Sequence, residues 1–222
     1  MGVDNATSLI ERARDEARGS GRQNVSFDVM DIGDLDFPDR TFDCVLSHFA
    51  LNASFPPGVG AREAWRVLRP GGVLTFVMWG RTTRGGELTA ILNALLKKWQ
   101  PAELPAELAH VQQAVAVVPY GFFQYGPLAE PADTSRVMAF LRGLGFERVE
   151  AVTRYLAVEY ADVDALLTMV TPLRIPLRQL SPDAAAGFRE DMARAVGPLF
   201  DSGDVAAECE VMCFTARKPG GS

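Results

Sequence analysis

Val25-Ser26-Phe27-Asp28-Val29-Met30-Asp31-Ile32, then Phe42-Asp43-Cys44-Val45-Leu46-Ser47-His48-Phe49, then Arg66-Val67-Leu68-Arg69-Pro70-Gly71-Gly72 running into Val73–Trp79: these three stretches decide the fold. Val25–Ile32 reads as a buried strand ending at Asp31. Phe42–Phe49 reads as a second strand, with too little alternation for a solvated face, so it is expected to be buried on both faces. Before the third stretch, Ala61, Ala64, Trp65 and Leu68 share one helical face. Pro70 cannot continue that helix, because its nitrogen carries no hydrogen, and Gly71-Gly72 supplies the tight turn into the apolar strand Val73–Trp79. Strand, helix and strand in repeated order imply right-handed crossovers. The expected class is therefore α/β, a doubly wound and mostly parallel sheet with helices on both faces.

Working outward, Gly2-Val3-Asp4 reads as the tail of a strand. Ser8 and Glu11 have capping-box spacing at the start of a helix that Gly19 and Gly21 end. Asp34–Arg40 is a polar turn centred on Phe37-Pro38-Asp39. Leu88, Ile91, Leu92, Leu95, Leu96 and Trp99 form a helical stripe, and a proline-punctuated, aromatic-rich segment follows. Further on, Thr134–Leu144 reads as a helix, Phe146–Tyr160 as a strand, Asp162–Val170 as a helix, and Pro182–Val196 as a helix started by Ser181-Pro182. Glu208–Arg217 reads as the last strand, and Lys218–Ser222 as a fraying tail. The expected division is a nucleotide-binding half at 1–81, an insert at 82–131, and 132–222 completing the same sheet.

With 222 residues and a hydrophobic fraction of 48%, the chain fits one α/β domain with a modest insertion. A net charge of −6 and a pI near 5.0 argue against a nucleic-acid partner, which calls for a basic face. Cys44, Cys209 and Cys213 cannot all pair, and with only two histidines no metal site is expected. Reduced cysteines and an opening without a signal-peptide pattern point to the cytoplasm. No apolar run approaches the ~20 residues that span a membrane.

Chemistry is expected at the carboxyl ends of the strands, where open α/β sheets place ligands. Asp4 closes a strand there, followed by Asn5 and a helix. A carboxylate at that point has two acceptor oxygens for the two hydroxyls of a ribose, and the alternative is a helix cap at Asn5–Ser8. Asp31 and Ile32 end the next strand. Ser47, His48 and Phe49 emerge from the one after, and His48 is the candidate general base, with a hydrogen-bonded wall histidine as the plainer reading. Trp79, Trp99, Tyr120, Phe122, Phe123 and Tyr125 are candidates for an apolar lid over a substrate, although ordinary helix packing accounts for some of them.

The string Asp31-Ile32-x-x-Leu35-x-Phe37-Pro38-Asp39-x-x-Phe42-Asp43, with Arg66–Gly72 downstream, resembles the class I S-adenosylmethionine (SAM) dependent methyltransferases of the ubiquinone/menaquinone-methylase-like (methyltransferase type 11) group. The resemblance implies a Rossmann-like fold with SAM as cofactor. It places Asp4 on the ribose, Asp31 on the adenine amino group, and the Ile32 amide on a ring nitrogen. It also puts variable helices over a small-molecule acceptor after the strand Val73–Trp79. The family's first strand and glycine-rich loop have no counterpart among these residues. That strand would lie between the one ending at Asp4 and Phe42–Phe49, leaving a gap of roughly 9.6 Å between strands that normally sit about 4.8 Å from a neighbour. A longer chain could fill the gap, the two strands could close directly, or another chain (a homo-oligomer or a strand-donating partner) could supply the strand. The leading expectation is a methyltransferase acting on a small apolar or aromatic metabolite. The rival is a non-catalytic protein of the same fold that binds no SAM. An NAD-dependent dehydrogenase shares the acid after the second strand, but the Arg66–Gly72 turn fits it poorly.

Overall fold

The structure is a computed structural model that describes residues 1–51, 58–84, 86–99, 116–117, 123–124, 134–169, 180–202 and 206–221. In chain order the strands are β1 (Gly2–Asp4), β2 (Phe27–Val29), β3 (Phe42–His48), β4 (Leu68–Arg84), β5 (Ala116–Val117), β6 (Phe123–Gln124), β7 (Glu147–Glu159) and β8 (Ala206–Arg217). The helices are α1 (Thr7–Gly19), α2 (Val59–Val67), α3 (Gly86–Trp99), α4 (Thr134–Gly143), α5 (Val163–Met169) and α6 (Pro182–Ser202).

Among the described residues the strands form three separate sheets. β1 and β2 pair in parallel, and β3-β4-β8-β7 form a second sheet in that order. β3 and β4 are parallel, while β8 runs antiparallel to both β4 and β7. A small antiparallel pair, β5–β6, stands apart. β1 and β3 are not hydrogen-bonded to each other. Of the three outcomes foreseen for the gap, direct closure is therefore not the one observed.

β4 begins at Leu68, not Val73, and Gly71-Gly72 lie within it, where its register against β3 shifts between Leu68 and Val73. Gly71 has φ of 80°, a left-handed conformation that costs a side-chain-bearing residue. A Cβ on Gly72 would sit 2.9 Å from the Arg69 carbonyl oxygen and 3.1 Å from that of Asp43. Beyond Gly72 β4 alternates, with Leu74, Phe76 and Met78 buried and Val73, Thr75 and Val77 half-buried. The buried set packs with Met212, Phe214 and Ala216 of β8 against Ala61 and Ala64 of α2 and Val137 and Leu141 of α4. Phe76 and Phe214 stack at 5.0 Å and 16° in the middle of this core. A second apolar cluster joins α3, α5 and α6 through Leu88, Leu95, Leu166, Phe188, Met192 and Val196.

Several expectations change. β3 is not buried on both faces: Cys44, Leu46 and His48 are exposed, and Leu46 keeps 74% of its surface. Leu46 pairs with Thr75, on the opposite face from Leu74 and Phe76, and the core helices cover only the latter. The strand expected over Val25–Ile32 shrinks to Phe27–Val29, since Asp31 turns the chain by pairing with Asp34. No Ser8–Glu11 capping box forms. α1 starts at Thr7 behind Ala6 with no side-chain cap, which moves Ser8 into the first turn. α6 continues past Val196 through Pro198 to Ser202, while Ser181 Oγ does accept the Ala184 amide at its start, at 3.3 Å. The tail does not fray at Lys218. Its ammonium donates to the Trp65 and Leu68 carbonyls at 2.7 and 2.8 Å, capping α2 from 4.8 Å over the Trp65 ring. Burial there, and after it the nearby Arg40, lowers its pKa.

The Phe76–Phe214 stack is the centre of the first core, and its loss cannot be absorbed by a flexible neighbour. Phe214→Ala is expected to lower unfolding free energy by ~3–5 kcal/mol, read as a reduced urea midpoint at unchanged slope. A loss under ~1 kcal/mol would contradict that placement.

Candidate functional site

The space between β1 and β3 is a cleft of about 510 Å³. Asp4 and Ser47 reach it from the carboxyl ends of two parallel strands. Ile32, Leu35 and Phe37 form one wall, and Gly60, Ala64 and Val67 of α2 stand behind. The ends of parallel strands and an apolar wall beside a carboxylate make a site suited to a flat base on a polyhydroxylated sugar.

The candidate residues fall into three groups. Asp4, Ile32, Ser47 and His48 line the cleft together. Asp4 Oδ1 accepts the Ala6 N–H at 2.8 Å, which sets the turn from β1 into α1 and uses one of the carboxylate's two oxygens. Ser47 is 7% exposed, and its Oγ accepts the Leu51 amide at 3.1 Å, fixing the chain after β3. His48 is exposed and meets the Phe49 ring edge-on at 4.5 Å.

Asn5, Asp31 and Phe49 lie beside the cleft but do not line it. Asn5 is exposed. Asp31 is exposed too, and its Oδ1 accepts the Gly33 amide at 2.7 Å. Phe49 has φ of 58°, a left-handed conformation that costs a non-glycine residue about 1–3 kcal/mol and is commonest at functional sites.

The lid residues are the third group. Trp79 pairs with Val211, and Phe123 with Val117. Tyr120, Phe122, Tyr125 and the side chains of Trp79 and Phe123 lie outside the described residues. Trp99 is core rather than lid: its Nε1–H donates to Asp191 at 2.9 Å and its ring meets Phe188 edge-on at 6.4 Å. Among the described residues no group of His, Cys, Asp and Glu could hold a metal ion, and no helix is long and apolar enough to cross a membrane.

Glu63 and Arg66 were not anticipated, although their i, i+3 spacing within the Ala61–Leu68 helix was the available signal. Glu63 accepts the Leu35 amide at 2.9 Å. Arg66 donates to the Leu35 carbonyl at 2.7 Å, the Phe37 carbonyl at 2.6 Å and Asp39 at 3.1 Å. It also grips both oxygens of Glu63, at 2.8 and 2.7 Å. The Arg66 hydrogen bond is the main cause that holds the Glu63 carboxyl below its ordinary 4.5, with burial opposing it. A lowered carboxyl stabilises the fold fully above its unfolded value, and the contribution is lost as pH falls through the folded value. Hydrogen exchange at the Leu35 amide is therefore expected to accelerate, relative to intrinsic rates, once pH drops below the ordinary glutamate range. Glu63→Gln should abolish that pH dependence, and protection that persists unchanged through the titration would contradict the assignment.

Residues 1–76 match the family model described as a methyltransferase domain. An aklanonic acid methyltransferase of Streptomyces sp. (strain C5) is 34% identical over 116 residues, 46% of this chain and 51% of that protein. A demethylmenaquinone methyltransferase of Deinococcus radiodurans is 27% identical over 160 residues, covering 72% and 61%. Over these residues the chain is similar to class I methyltransferases of the ubiquinone/menaquinone-methylase-like group. It spans only about half to three-fifths of the length of these relatives. Among solved structures, the YcgJ protein of Bacillus subtilis superposes with a TM-score of 0.60 at 16% identity, over 99% of this chain and 82% of that one. An N-methyltransferase 2 of Haemonchus contortus, solved with phosphomonomethylethanolamine and S-adenosylhomocysteine, superposes with a TM-score of 0.50 at 17% identity, over 98% and 43%. At such identities the structural likeness shows the class I methyltransferase fold alone.

Proposed function

We propose that this chain forms the nucleoside-holding part of a SAM-dependent methyltransferase that acts on a small apolar or aromatic molecule. One observation carries the reading: Asp4, the Ile32–Phe37 wall and Ser47 meet in one cleft near the carboxyl ends of strands in parallel pairs, within the residues that match the methyltransferase-domain model. The residues present fit the nucleoside end of SAM. Asp4 has an oxygen beyond its bond to Ala6 for the ribose hydroxyls, and Asp31 with the Ile32 backbone stands at the edge where a base would lie. Leu35 and Phe37 offer the base an apolar surface and exclude water from it.

When bound, SAM supplies an electrophilic methyl group on a sulfonium, so the protein's task is mainly to align donor and acceptor. His48 is the proposed base for an acceptor hydroxyl, and Phe49, Trp79, Tyr120, Phe122, Phe123 and Tyr125 are the proposed acceptor surface, with 82–131 as the proposed lid. Relatives named for aklanonic acid and demethylmenaquinone support a small-molecule acceptor. A cytoplasmic location is part of the same proposal.

If Asp4 holds the ribose, Asp4→Ala should weaken S-adenosylhomocysteine binding by roughly 1.5–3 kcal/mol, the scale of charge-assisted hydrogen bonds. Unchanged affinity in a folded variant would leave Asp4 a turn-forming residue only.

The cleft also favours an added strand. Among the described residues the edges of β1 and β3 that border the cleft have no strand partner, and exposed edges recruit other strands. The isolated chain is expected to self-associate, or to gain stability when a partner donates a parallel strand. Light scattering that shows a stable monomer with micromolar affinity for SAM would contradict this.

A further inference from the structure

We propose that Arg66, braced by Glu63, is a positioning residue that sets the base-recognising wall of the cleft and thereby governs discrimination at the 6-position of a bound purine. This rests on the nucleoside reading above and extends it to residues that touch no ligand.

A guanidinium has five N–H groups in a rigid plane, and all five of Arg66 are donated. Two go to the Glu63 carboxylate, one each to the carbonyls of Leu35 and Phe37, and one to Asp39. Three of the five thus hold residues 35–39. Glu63 completes the clasp by accepting the Leu35 amide, so both the N–H and the C=O of Leu35 are fixed by α2. The loop is also seated along that helix. A Cβ on Gly33 would lie 2.8 Å from Val59 Cγ1 at the start of α2, and the amides of Arg40 and Thr41 donate to the Arg66 and Val67 carbonyls at 3.0 and 2.7 Å.

The side chains this clasp fixes are those that face the ligand space. Leu35, Phe37 and Phe42 line the cleft with Ile32, and the Phe37 and Phe42 rings meet edge-on at 4.9 Å. An arginine that only complemented the carboxyl end of α2 would face solvent. Arg66 is instead 31% exposed at its side chain and Glu63 only 16%, and together they reach across to a different segment of chain. By contrast the neighbouring Arg69–Asp43 pair is 51% and 82% exposed and holds no cleft residue. A lysine at position 66 keeps the charge but has neither the fork nor the number of donors to serve both carbonyls and Glu63 at once. A wall that shifts by a few tenths of an ångström still offers apolar contact. It no longer matches a donor and acceptor pair to a base edge, where hydrogen-bond discrimination is decided.

The test titrates the folded chain with S-adenosylhomocysteine and with S-inosylhomocysteine, in which a carbonyl replaces the 6-amino group. Wild type, Arg66→Lys, Glu63→Gln and the control Arg69→Lys are compared, each with its urea midpoint. Wild type and Arg69→Lys should prefer the adenine ligand. Arg66→Lys should weaken S-adenosylhomocysteine by about tenfold while leaving S-inosylhomocysteine nearly unchanged, so that the preference collapses. Glu63→Gln should do the same to a smaller degree. A variant that loses both ligands equally, in step with its stability, would make Arg66 a structural brace and overturn the proposal. So would an unchanged preference. If wild type binds neither ligand, the nucleoside reading itself fails, and this inference fails with it.

Discussion

Arg66 joins the two parts of this molecule. The β1–β2 pair and the four-stranded sheet share no strand pairing, so the position of one relative to the other depends on the connection through residues 31–41 and on what holds it. Five charge-assisted or carbonyl hydrogen bonds from one planar side chain, over a carboxylate that is itself hydrogen-bonded to the loop, give that connection a defined shape. α2 has two roles as a result. Ala61 and Ala64 pack the sheet core, while Glu63 and Arg66 on a different face hold the cleft wall. Small residues on the packed face let the helix approach the sheet closely, and that approach brings Arg66 within reach of the loop.

The exposed side of β3 follows from the same separation. Leu46 at 74% exposure is an unusual position for a leucine in a sheet, and on the adjoining strand Thr75 half-faces the same side. Val152 of β7 is also exposed, at 44%, where it pairs with Cys213. An apolar face beside an unpaired edge is a poor arrangement for an isolated chain, because edge groups and apolar surface both gain from a partner. β8 is paired on both sides, and Lys218 at its end closes the carbonyls of α2.

Much of this was legible in sequence, for identifiable reasons. The stripe from Leu88 to Trp99 reads as a helix whatever it packs against, whereas the α2–β4 junction falls at Val67–Leu68, ahead of Pro70 and Gly71-Gly72, which β4 carries as an irregularity in its pairing with β3. The gap between β1 and β3 was expected from the resemblance and is present. Burial of β3 was misread because periodicity reports what a strand could bury and not whether anything covers it. The Ser8–Glu11 pair was misread because capping depends on where φ and ψ turn helical, which Ala6 and Asp4 decide here. At the site, the cleft positions of Asp4, Ser47 and His48 followed from strand ends, which are a topological matter, while Ile32 lies past the end of β2 at Val29. Glu63 and Arg66 were passed over because an acid and a base three residues apart on a helix look like an ordinary surface pair. Only tertiary structure shows a loop beneath them.

The central claim is that the space between β1 and β3 is a purine-nucleoside site. Calorimetric titration of the purified 222-residue chain with S-adenosylhomocysteine and, separately, with NAD tests it most directly. The account predicts saturable, one-to-one binding of S-adenosylhomocysteine and none of NAD. Binding of NAD in preference, or no heat with either ligand from a folded chain, would contradict it.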